Sequence, residues 1–112
     1  MNYYAGVDLG GTNTKIGILN REGDILKSRI IKTLSAEGVD NTLERIWKTI
    51  QELAQELDIN IKNIKGIGLG IPGPVLEQSI VAFFANFPWE RNINIKEKLE
   101  KAQSVVLASY QG

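Results

Sequence analysis

The sequence predicts an α/β layer domain with the element order βββαβαβ. Three observations carry that expectation. The first 33 residues hold three apolar segments separated by glycine-bearing turns. An apolar stripe at helical spacing follows, and the helix it implies leads into another apolar strand. A chain of 112 residues with 43% hydrophobic and 23% charged residues is also sized and composed for one packed core rather than for disorder. About two-thirds of the surface of such a chain is buried on folding.

Residues 3–9, Tyr-Tyr-Ala-Gly-Val-Asp-Leu, read as a strand, and residues 14–20, Thr-Lys-Ile-Gly-Ile-Leu-Asn, as its partner. Gly10-Gly11-Thr12-Asn13 between them makes the pair a hairpin. Arg21-Glu22-Gly23-Asp24 is a second turn, and Ile25 to Thr33 a third strand, which completes an antiparallel meander. Over residues 40–58, Leu43, Ile46, Trp47, Ile50, Leu53, Ala54 and Leu57 fall on one helical face. Asn41 with Glu44 three residues later resembles a capping box at its start. Residues 64–71 form a fourth strand, parallel to its neighbour because a helix connects them. Residues 72–92 contain all three prolines and read as a long excursion with a short strand or two. Asn94 and Glu97 resemble a second capping box, opening a short helix from Ile95 to about Lys101, and Ser104 to Ser109 reads as a final strand.

Composition narrows the chemistry. Thirteen basic and thirteen acidic residues cancel, which argues against a protein whose affinity comes from neutralising nucleic-acid phosphates. Histidine and cysteine are both absent, so disulfides, zinc fingers, thiol nucleophiles and histidine acid–base catalysis have no residues to use within this chain. Met1-Asn2-Tyr3-Tyr4 lacks the basic and apolar regions of a signal peptide, and the longest apolar run, Ile80 to Ala85, is far short of a membrane span. A cytoplasmic location without a membrane partner is the expectation.

The hairpin tip is the most specific feature. Asp8-Leu9-Gly10-Gly11-Thr12 has the form D-x-G-x-T. Glycines without Cβ atoms let a backbone turn sharply and bring its amides close to phosphate oxygens. Thr12 and Asn13 add side-chain donors, and Lys15 adds a mobile positive charge. Asp8 at the strand end could hold magnesium directly or through water, and magnesium would bridge phosphates and a leaving oxygen. Two glycines alone would fit an ordinary hairpin turn; the four polar residues around them favour phosphate binding. The alternative phosphate loop, G-x-x-x-x-G-K-[ST], is nowhere in the chain.

Gly66, Gly68 and Gly70 alternate with Ile67, Leu69 and Ile71 and run into Pro72-Gly73-Pro74. One face of this strand is apolar and the other bare, open to close approach by a backbone, helix or ligand. Gly68-x-Gly70-x-x-Gly73 formally matches the dinucleotide-binding fingerprint, but Pro72 removes an amide that a helix start needs and Pro74 biases Gly73 away from helical geometry. An extended loop at the strand end is expected instead, facing a ligand crevice. Further on, Asn86 lies among Phe83, Phe84, Phe87 and Trp89. Asn presents donors and an acceptor suited to paired sugar hydroxyls, whereas composition by itself favours aromatics in the core and Asn86 as a turn residue.

The segments AGVDLGGTNTKIGILNREGDIL, GIGLGIPGPV and ANFPWERNINIKEKLE, in this order, resemble the N-terminal half of the ROK family of sugar kinases and sugar-responsive repressors. The resemblance runs from about residue 3 to about residue 101. It implies a ribonuclease-H-like lobe of the actin and hexokinase type, one of two that enclose ATP and sugar. It also implies that Gly10, Gly11, Thr12, Asn13 and Lys15 bind ATP phosphates, that Asp8 is a magnesium-associated carboxylate, and that Gly73 and Asn86 touch sugar hydroxyls. The implied reaction transfers the γ-phosphoryl group of ATP to a hexose hydroxyl, usually the 6-hydroxyl of glucose. Repressor members carry a DNA-binding winged helix before the hairpin; the first strand here begins at residue 3, so the kinase branch is expected.

Family members continue after the short helix with a strand ending in Glu-Asn-Asp, whose Asp is the general base. Here Tyr110-Gln111-Gly112 stands at about that place, so residues 102–112 depart from the pattern and the chain is expected to be an incomplete, weakly active or inactive lobe spanning 1–112, with no catalytic base of its own. The competing readings are a non-catalytic sugar-sensing lobe of a repressor and an actin-like ATPase lobe; Asn86-Phe87-Pro88-Trp89 speaks against the latter. The bare glycine strand and the aromatic segment also predict self-association into a homo-oligomer.

Overall fold

Alternation builds the first sheet. In β1 (Tyr3–Leu9), Ala5, Val7 and Leu9 are buried while Tyr4 and Asp8 are exposed, the period-2 pattern of a strand with one covered face. β2 (Asn13–Leu19) pairs with it antiparallel, with Asp8 opposite Lys15 and Gly6 opposite Gly17. The turn into β3 (Ile25–Lys32) is closed by Asn20, whose Oδ1 accepts the amides of Glu22 and Asp24, and by Gly23 at φ 87°, a left-handed conformation that glycine adopts without a Cβ penalty. The computed structural model describes residues 1–71, 73, 75–76, 80–82, 84 and 87–111, with the backbone alone for Leu76 and 107–111.

The long helix α1 spans Val39–Glu56 and buries Leu43, Ile46, Trp47, Ile50, Leu53 and Ala54, the face expected from their spacing. It starts earlier than the Asn41–Glu44 capping box would allow. Gly38, at φ 95°, swings the chain into the helix, and Asn41 Nδ2 donates back to the Glu37 carbonyl at 2.9 Å. The positive φ of Gly38 makes the entry turn, so no Asn side chain is needed as a cap. α1 returns the chain to β4 (Ile64–Gly70), which lies parallel to β1 at the edge of the sheet order β3-β2-β1-β4. The meander and the parallel crossover both match expectation.

Among the described residues the excursion holds two short strands, β5 (Val75–Leu76) and β6 (Ile80–Val81), which form a second antiparallel sheet with β7 (Ile93–Asn94) just after it. Val75–Leu76 are extended, as the rejection of the dinucleotide fingerprint requires. Phe84, Phe87 and Trp89 cluster with ring centroids 4.6–5.6 Å apart and pack on the core, and Trp89 Nε1 donates to the Ser35 carbonyl at 2.8 Å.

The end of the chain corrects the expected element order. α2 runs from Ile95 to Gln111 in place of a short helix and a final strand over Ser104–Ser109. Asn94 does cap it, its Oδ1 accepting the Glu97 amide at 3.1 Å. Ile95, Leu99, Ala102 and Val106 line the buried side, and Val106 is 1% exposed while Val105 is 42% exposed. That spacing of three and four is helical. The Val105-Val106 pair, read locally for its β-propensity, conceals it. Trp47 Nε1 donates to the Leu99 carbonyl at 3.0 Å and ties α1 to α2. Among the described residues no helix is long and apolar enough to cross a membrane.

Candidate functional site

α1 covers the Ala5–Val7–Leu9 face of the sheet, and α2 packs against α1 and β6. The opposite face is open. It carries Tyr4, Gly6 and Asp8 of β1, Lys15, Gly17 and Leu19 of β2, Ser28 and Ile30 of β3, and Gly66, Gly68 and Gly70 of β4. A shallow depression of about 350 Å³ lies on it, floored by Gly6, Gly17 and Gly68 and flanked by Asp8 and Lys15. The alternating glycines therefore pave a face, as their spacing implies. Gly70 stands beside Asp8 in the register, and a Cβ there would come 3.7 Å from Asp8 Oδ1.

At the end of this face is the hairpin tip. Gly11, Thr12 and Asn13 are exposed, as are Asp8 and Lys15. The Gly10 amide donates to the Asn13 carbonyl at 3.1 Å, and a Cβ on Gly10 would lie 2.5 Å from that oxygen. Gly10 is thus required by a close backbone approach rather than by a positive φ. Among the described residues the amides of Gly11 and Thr12 have no hydrogen-bond partner in the protein, so two donors are free at the tip for an anion. The structure brings Asp8, Gly10, Gly11, Thr12, Asn13 and Lys15 together on one hairpin. Gly73 follows β4, whose end lies level with Asp8, and its amide donates to the Ile71 carbonyl at 3.0 Å. Asn86 lies outside the described residues.

Asp8 is one exposed carboxylate, and among the described residues no group of three or more acidic side chains gathers around a common point. Magnesium is ordinarily held by one or two carboxylates plus substrate phosphates and water. A single exposed Asp beside a tip with free amides fits that donor set.

A supporting layer behind the tip was not legible in the sequence. Thr33, immediately after β3, is 1% exposed. Its amide donates to the Thr12 carbonyl at 2.9 Å and its hydroxyl to the Gly10 carbonyl at 2.7 Å. The Thr14 and Thr33 hydroxyls are 2.7 Å apart, and Arg45 Nη2 donates to the Thr33 carbonyl at 2.8 Å while its Nη1 meets Glu37 at 3.0 Å. A polar residue at the inward-facing end of β3 was the available signal.

The ROK family model matches residues 4–108. A glucokinase of Thermotoga maritima is 35% identical over 97 residues, which cover 86% of this chain and 29% of that protein. The ROK hexokinase of Thermus thermophilus aligns at a TM-score of 0.74 and 25% identity over 91% of this chain and 32% of its own. A ROK family glucokinase of Streptomyces griseus, solved with glucose and AMPPNP, aligns at 0.65 and 28% over 89% and 30%. A ROK family transcriptional regulator shares the fold at 0.69 and 21% identity. The chain therefore spans about a third or less of the length of these proteins.

Proposed function

The chain belongs to the ROK family, and from that premise we propose that it is the N-terminal lobe of a cytoplasmic, ATP-dependent hexose kinase, with glucose as the expected sugar. The observation that supports this most directly is the tip at Gly10–Asn13, with its free amides, between Asp8 and Lys15. Gly10, Gly11, Thr12 and Asn13 receive the ATP phosphates on backbone and side-chain donors, and Lys15 adds charge. Asp8 would hold magnesium, which would supply positive charge to the phosphates. Gly73 and Asn86 meet the sugar hydroxyls. The γ-phosphoryl group leaves the β-phosphate oxygen and bonds to the sugar hydroxyl oxygen, whose proton must pass to a base. No residue of this chain is assigned that role, so the lobe positions phosphate and part of the sugar but does not complete the reaction.

Calorimetry with magnesium ATP and with glucose, beside a coupled assay of the same chain, tests this reading. Weak binding of both ligands and little turnover are expected. Robust turnover would overturn the assignment of the base to residues outside this chain, and failure to bind the triphosphate would overturn the phosphate assignment. The alternative, a non-catalytic sugar-sensing lobe of a repressor, has the shared fold of the regulator behind it; glucose binding with no response to ATP would favour it.

A further inference from the structure

We infer that Thr33 is the positioning residue of the phosphate hairpin, tying two carbonyls of the tip away from the anion so that the Gly11 and Thr12 N–H groups face it. The inference rests on the phosphate-binding reading of Gly10–Asn13. A flexible four-residue tip exposes carbonyls and amides alike, and a carbonyl oxygen repels a phosphate that an amide attracts. Here the Gly10 and Thr12 carbonyls are both engaged by Thr33, one by its hydroxyl at 2.7 Å and one by its amide at 2.9 Å. The Gly11 and Thr12 amides stay unpaired at the exposed surface among the described residues.

The proton directions follow. The Thr33 hydroxyl has one proton, and Gly10 O can only accept it, so in the 2.7 Å contact with Thr14 the proton belongs to Thr14. Thr14 donates to Thr33, and Thr33 donates to Gly10, a short chain of hydroxyls that are 0% and 1% exposed. The far end is anchored as well, because the Thr33 carbonyl accepts from Arg45 on α1. The tip is therefore oriented by the helix behind it through a residue that has no exposed polar atom to offer a ligand. Valine at position 33 would fill the same space and suit a strand end equally well; only the hydroxyl serves the tip.

The test compares Thr33→Val and Thr33→Ser in the full chain, with magnesium tripolyphosphate as the calorimetric probe and amide exchange by NMR as a second readout. Thr33→Val should weaken tripolyphosphate binding about 3- to 10-fold, the worth of one buried hydrogen bond. It should also speed exchange at Gly10–Asn13 while the core amides of Val7 and Ile16 hold. Thr33→Ser, which keeps the hydroxyl, should restore both. Thr14→Val, which leaves the Thr33–Gly10 bond intact, should fall between them and serves if Thr33→Val does not fold. Tripolyphosphate affinity and tip exchange unchanged in Thr33→Val, or lost equally in Thr33→Ser, would overturn the inference. If the unmodified chain binds no tripolyphosphate, the phosphate reading fails, and Thr33 as the orienting residue then stands or falls on the tip exchange rates alone.

Discussion

Replacing Gly10 by alanine puts a methyl group 2.5 Å from the Asn13 carbonyl oxygen and 3.6 Å from its carbonyl carbon. Ordinary contact begins at 3.4 Å, so one peptide must withdraw by about 0.9 Å, and neither is the free end of a flexible side chain. The oxygen that blocks the methyl also accepts the Gly10 amide at 3.1 Å, and the Gly10 carbonyl is tied to Thr33 at 2.7 Å. Relief of the clash therefore stretches one bond or the other, and the expected loss is about 1–3 kcal/mol of stability. The control is Gly68→Ala. No atom lies within 4 Å of a Cβ there, so it should be neutral or stabilise by up to about 1 kcal/mol through the unfolded chain. Urea midpoints of the two variants, measured with the slopes of their transitions, give the comparison. Equal midpoints, with tip amide shifts unchanged in Gly10→Ala, would refute the close approach and with it the account of why glycine occupies that position.

Val106→Ala should cost about 2 kcal/mol and Val105→Ala less than about 0.5 kcal/mol, since only Val106 is buried; equal costs in urea denaturation would refute the helical stripe of α2. Both carboxylate oxygens of Glu56 accept from the single Arg29 Nη2, at 2.8 and 2.7 Å, and one meets Lys27 at 2.7 Å. The Arg29 hydrogen bond, first, and Lys27, second, hold its carboxyl below the usual range. A lowered acid pKa stabilises the fold above the ordinary carboxylate value of about 4.3 and loses that contribution as pH falls through the folded value. The stability gap between the unmodified chain and Glu56→Gln should therefore close below that value, and a gap independent of pH would refute the pairing. The open sheet face carries Ile30, 66% exposed and opposite Lys15, and Ile25, 60% exposed at the rim of the glycine floor, so light scattering at high concentration should find a homo-oligomer, and a clean monomer would count against it.

Elements with a short-period signal are legible in the chain itself. The β1–β2 hairpin, the turn around Gly23, the stripe of α1 and the bare face of β4 depend on residues within about a turn or a strand of one another. The polar residues of the tip were legible for the same reason, because Asp8 through Lys15 are contiguous. The Asn41 cap failed because Gly38 supplied a competing start signal, and the strand over Ser104–Ser109 failed because a β-branched pair masked a spacing of three and four residues. The sequence by itself determined the β1–β2–β3 meander, the apolar face of α1, the bare face of β4 and the contiguous polar residues of the hairpin tip. Tertiary structure alone decided that α2 packs on α1, that it continues to Gln111, and that Thr33, 23 residues beyond Gly10, bonds the tip with Arg45 behind it. Those outcomes rest on contacts between residues far apart along the chain, such as Trp47 with Leu99 and Thr33 with Gly10, which exist only once the sheet and helices have packed.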